Sequence, residues 1–138
     1  MRNRGQISLE YLIVVGFVVF IVILLLGLAV FYTSTARDSM SFNQLNNFAN
    51  KLLNSAETVY FAGEPSKLTI TAYLPEGVSS FEILENSLVF NMTTNSGNNI
   101  ISYPSKVPLD LSSTFSFTGG VKRMKIVATL SNVVFTQV

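Results

Sequence analysis

An unbroken apolar run, a helical alternation and a strand alternation follow one another along this chain. From Tyr11 to Tyr32 every residue is aliphatic, aromatic or Gly. At 1.5 Å rise per residue a helix of that length covers about 33 Å, close to the thickness of a bilayer's hydrocarbon core. Beyond Thr33-Ser34-Thr35 the apolar positions thin out to Phe42, Leu45, Phe48, Ala49, Leu52, Leu53, Ala56, Val59 and Tyr60, spaced by threes and fours. That spacing predicts one apolar face on a helix that continues the run, because no Pro or Gly intervenes. Asn43, Asn46, Asn47, Asn50, Lys51 and Asn54 make up the opposite, polar face, and Gly63-Glu64-Pro65 ends the segment.

After Pro65 the period becomes two. Leu68, Ile70, Ala72 and Leu74 alternate with Lys67, Thr69, Thr71 and Tyr73, and Pro75-Glu76-Gly77 supplies a turn. Further β-rich runs are expected at residues 81–84, 88–92, 100–103, 121–130 and 133–138, separated by clusters such as Asn95-Ser96-Gly97-Asn98-Asn99. Five or six strands in an antiparallel sheet would cover the apolar face of the helix. The predicted class is therefore α+β: a long N-terminal helix, half membrane-compatible and half amphipathic, packed on a small antiparallel β head. The corresponding divisions are residues 1–5, 6–35, 36–62 and 63–138.

Composition narrows the chemistry. The 138 residues include neither Cys nor His, which removes disulfide frameworks, thiol nucleophiles and most neutral-pH acid–base catalysis. Nine basic and eight acidic side chains leave a formal charge of +1, too weak a field to hold nucleic acid. No phosphate loop or nucleophile elbow is present, so an enzyme is not expected, nor any cofactor. Glu82, Glu85 and Asp110 lack the dense oxygen-ligand spacing of a calcium loop, and no metal site is assigned. Lys122, Arg123 and Lys125 are the densest basic group; strand alternation places Arg123 and Lys125 on a solvated face and Lys122 beside Met124 and Ile126. Asn91-Met92-Thr93 is the one Asn-x-Ser/Thr acceptor and a possible N-glycosylation site on an extracellular head.

The start of the chain carries the most specific signal. Arg2 and Arg4 precede the apolar run, which by the positive-inside tendency keeps that end cytoplasmic. Gly5 has no side chain to obstruct a protease cleft. Ser8 can cap a helix start, and Glu10 puts a carboxylate at the edge of the span, where it is expensive without a cationic partner. Gly16 and Gly27 inside the run would allow close helix approach, or are ordinary span glycines.

Gly5, Gln6, Ser8 and Glu10 together resemble the class III signal peptide of euryarchaeal type IV prepilins, whose pattern is Gly followed by Gln-x-Ser-x-Glu. Val14 stands where that pattern has Leu. Residues 60–67, 73–78 and 106–109 are more loosely similar to the heads of the same pilin-like proteins. The resemblance implies cleavage between Gly5 and Gln6 by a prepilin peptidase at the membrane, with Gly5, Gln6, Ser8 and Glu10 as its recognition residues. It further implies pairing of Glu10 with the new α-amino group of Gln6 on a neighbouring subunit. Expected partners are copies of the same or related pilins, the peptidase, an assembly platform with its ATPase, and the membrane before assembly. The expected product is an extracellular pilus engaged in surface attachment. Two other readings fit the apolar run: a single-pass anchored binding module that does not polymerise, and a secreted domain cut near Ser34-Thr35-Ala36. The run exceeds the usual signal-peptide core of 7–15 residues, which disfavours the latter.

Overall fold

A computed structural model describes residues 4–95, 97–112 and 115–138, with side chains described from residue 9 onward except at residue 34. The chain divides into two compact units, Met1–Arg37 and Asp38–Val138. One α-helix, α1 (Arg4–Ala62), runs through both.

In the first unit α1 carries the apolar run, and its large side chains from Leu9 to Tyr32 are all exposed. Thr33 and Thr35 lie within the helix with their hydroxyls turned back onto it. Thr33 Oγ1 donates to the Ala29 carbonyl at 2.8 Å and Thr35 Oγ1 to that of Phe31 at 3.4 Å, the i−4 bonding that Thr adopts inside helices.

In the second unit the predicted amphipathic face becomes the floor of the core. Leu45, Phe48, Ala49, Leu52, Leu53, Ala56 and Val59 are buried, with Phe42 and Tyr60 packed at the margin. Asn43, Asn46, Asn47, Asn50, Lys51 and Asn54 face solvent. Asn is a poor helix former, roughly 0.5 kcal/mol per residue worse than Ala, so this stretch relies on packing rather than propensity. The helix stops where expected: Gly63 has φ +73° and donates its N–H to the Tyr60 carbonyl at 3.1 Å, a glycine in the left-handed C-terminal position.

Seven strands follow among the described residues: β1 (Lys67–Leu74), β2 (Val78–Leu84), β3 (Ser87–Thr94), β4 (Gly97–Pro104), β5 (Leu109–Leu111), β6 (Gly120–Ala128) and β7 (Val133–Gln137). The α+β class holds, and the head is two sheets rather than one: four strands in the order β1-β6-β7-β5, and three in the order β2-β3-β4. All pairs are antiparallel except β5 with β7.

Three details depart from the predicted runs. Of the cluster expected to separate two strands, Gly97 to Asn99 already belong to β4 and pair with Thr94 to Met92. The three-residue β5 has too few positions for any alternation to register. The run predicted to reach Leu130 ends at Ala128, after which Thr129 and Asn132 bond each other across a turn. Glu85 and Asn86 both take positive φ, 46° and 62°, between paired Leu84 and Ser87, as a two-residue type I′ hairpin requires. At the other end of β2, a Cβ on Gly77 would sit 2.7 Å from the Thr93 carbonyl oxygen, so no larger residue fits there without displacing backbone.

Aromatic contacts tie the helix to the three-stranded sheet. Phe48 meets Phe90 and Phe115 edge-on at centroid distances of 6.1 and 6.4 Å, and Phe90 stacks on Phe81 at 4.9 Å. At the rim, Tyr103 packs edge-on against Phe90, and burial pushes its phenol above the usual value of 10.0. Replacing Phe48 by Ala is expected to cost about 3–5 kcal/mol, a large share of the roughly 5–15 kcal/mol that stabilises an ordinary domain. Urea unfolding of the detergent-solubilised chain, followed by near-ultraviolet circular dichroism, reads that loss directly.

Candidate processing and assembly segment

The backbone of Gly5, Gln6 and Ser8 lies at the start of α1; their side chains lie outside the described residues, as do residues 1–3 of the expected leader. Glu10 is described. It is exposed, and among the described residues it has neither a hydrogen bond nor a salt bridge. A carboxylate with no partner among the described residues, at the mouth of an apolar segment, must remain hydrated or be matched by another group.

The apolar segment poses the same question on a larger scale. It is long and apolar enough to cross a membrane, and none of its most apolar stretch is buried within the chain. Its exposed residues go all the way round the helix, from Leu12, Ile13 and Val14 to Leu24, Leu25 and Leu26. A helix apolar on every face is stable only when surrounded by lipid or by other protein. Gly16 and Gly27 have no intrachain reason to be small, since a Cβ at either position would meet nothing within 4 Å.

The head presents no comparable chemical centre. Among the described residues no group of three or more His, Cys, Asp or Glu could hold a metal ion. Asp110 is engaged locally, accepting from the Leu111 N–H at 2.8 Å. Arg123 and Lys125 are exposed on β6, and Lys122 is on the buried side, as alternation requires. Its ammonium donates to Thr118 Oγ1 at 3.0 Å and Ser116 Oγ at 3.5 Å, with no carboxylate in reach among the described residues. Sequence pattern places the stem of Lys122 but not this hydroxyl pair, which comes from the irregular segment six and four residues before it.

Asn91, the glycosylation candidate, lies in β3, the central strand of its sheet, half-buried between Ser80 and Ile100. Its Oδ1 is buried and has no hydrogen-bond partner among the described residues, and its carbonyl accepts from Ser79 Oγ at 3.1 Å.

Comparison with protein-family models, with curated proteins and with solved structures returns no match. The functional reading therefore rests on the residues themselves.

Lys122 offers a direct test of this geometry. Lys122→Met keeps the buried stem, removes a charge that is expensive to bury, and leaves Ser116 and Thr118 hydroxyls that already lie 3.1 Å from each other. The expected result is unchanged stability or a gain of about 1 kcal/mol, measured by urea unfolding.

Proposed function

We propose that this chain is a type IV pilin subunit, cut between Gly5 and Gln6 and assembled through its apolar helix into an extracellular filament for surface attachment. The observation that carries this reading is the apolar helical segment exposed around its whole circumference beside Glu10, which has no partner among the described residues. Lipid satisfies such a segment while the precursor waits in the membrane. Neighbouring helices satisfy it equally well in a filament core, where the driving force is close packing rather than removal from water. Gly16 and Gly27 fit that packing as points of close helix approach.

Cleavage after Gly5 supplies the missing cation. It removes Arg2 and Arg4 with the leader and leaves an α-amino group on Gln6, protonated near neutral pH. On a neighbouring subunit that ammonium pairs with Glu10, offsetting the penalty of a carboxylate in an apolar surrounding, which for a charge at mid-bilayer is about 2.5–3.5 kcal/mol on insertion scales. The pair also fixes the axial register, since an unmatched Glu10 in the core is disfavoured wherever the helices slide.

Replacing Glu10 by Gln is expected to leave cleavage intact and to reduce filament number at least tenfold by electron microscopy of the cell surface. Edman sequencing of the variant should still begin at Gln6. Abundant filaments of the Glu10→Gln chain would remove the charge-pairing mechanism, and an intact Met1 would favour a plain membrane anchor.

A further inference from the structure

The five asparagines of α1 that face away from the sheets, Asn43, Asn46, Asn47, Asn50 and Asn54, are all exposed. At 100° per residue they fall within an arc of roughly 100°, opposite the buried face. An exposed helix surface in water is better served by Lys, Glu, Gln or Ala, which favour the helix and can add i,i+4 ion pairs. This surface has instead a neutral stripe of a single chemistry.

Only part of that stripe is satisfied from within. Asn50 Nδ2 donates to Asn46 Oδ1 at 3.0 Å. Among the described residues, the side chains of Asn43, Asn47 and Asn54 make no hydrogen bond. Lys51, at the edge of the stripe, is turned away from it, its ammonium donating to the Thr71 carbonyl of β1 at 2.7 Å. Clefts of about 270 and 380 Å³ open beside Asn47 and Lys51, the first reaching Tyr73 and the second Asn54 and Leu68. The surface thus combines unused donors and acceptors with room for side chains from outside.

We propose that the carboxamide stripe is a contact surface for a second copy of this chain, packed against the same helix segment of its neighbour. The proposal rests on the filament reading and adds to it a contact in the head, separate from the apolar segment. Its basis is self-complementarity. A carboxamide carries two donors and an acceptor in one neutral group, so identical stripes can hydrogen-bond to each other. A stripe of lysines or of glutamates would repel its own copy. Neutral amides also cost less to dehydrate than charges, which suits a surface exposed in the free subunit and covered in the polymer.

The absence of Cys makes the test clean. Full-length Asn47→Cys chains are allowed to form filaments, and labelling by a membrane-impermeant maleimide is timed on intact filaments and on filaments dissociated in mild detergent. The expected result is at least tenfold slower labelling in the intact filament. Arg123→Cys, on the outer face of β6, reports any general slowing of the reagent by the polymer. Equal labelling rates for Asn47→Cys in both states would overturn the proposal, as would protection that appears only when neutral oligosaccharides such as cellohexaose are added, the mark of a glycan-binding face. If Asn47→Cys alone stops polymerisation while Arg123→Cys does not, the contact is upheld, and Asn54→Cys carries the labelling measurement. Failure of the unmodified chain to form any filament sinks the filament reading itself. Filaments with a freely labelled Asn47→Cys leave that reading standing and remove only this contact.

Discussion

A helix that is apolar on every side cannot stand in water, and the rest of this molecule is arranged around that constraint. Among the described residues, nothing covers residues 11–32. Their cover must come from lipid, from other chains, or from each in turn, and the proposed function uses both in sequence. The same constraint gives Glu10 its meaning. As the carboxylate between the proposed cleavage site and the apolar run, with no described partner, it is the residue through which, in the proposed filament, a purely apolar contact would acquire a register.

The head solves a smaller version of the same problem internally. The helix segment from Phe42 to Tyr60 has a single apolar face, and two sheets supply enough inward side chains to cover it, with Phe48, Phe81, Phe90 and Phe115 in edge-on, stacked or tilted contact where helix and three-stranded sheet meet. Without a disulfide, stability depends on that packing and on turns whose backbone demands are met locally at Gly63, Gly77 and Glu85-Asn86. Polar surface is then free to serve contacts outside the chain, which is the setting in which the asparagine stripe has a use.

Features set by strong periodicity are legible in the sequence. The buried face of the helix, its end at Gly63 and the alternation of β1 follow from spacing and turn chemistry, and each is where it was expected. Features fixed by tertiary pairing were not legible. The division into two sheets and the parallel pairing of β5 with β7 depend on which strands meet, and three residues of β5 show no period. Glu85 and Asn86 adopt positive φ because the hairpin demands it, although neither is Gly. For the candidate site, the apolar run and Glu10 were readable as chemistry, and the full exposure of the one and the lack of a partner for the other required the fold.

The central claim is that the apolar helix ends up buried among copies of itself outside the cell. Its most direct test is shearing of intact cells, followed by intact-mass measurement of the chain in the lipid-free high-molecular-weight material released. The account predicts a polymer whose subunit begins at Gln6. Recovery of the chain only in the membrane fraction, or with Met1 to Gly5 still attached, would contradict it.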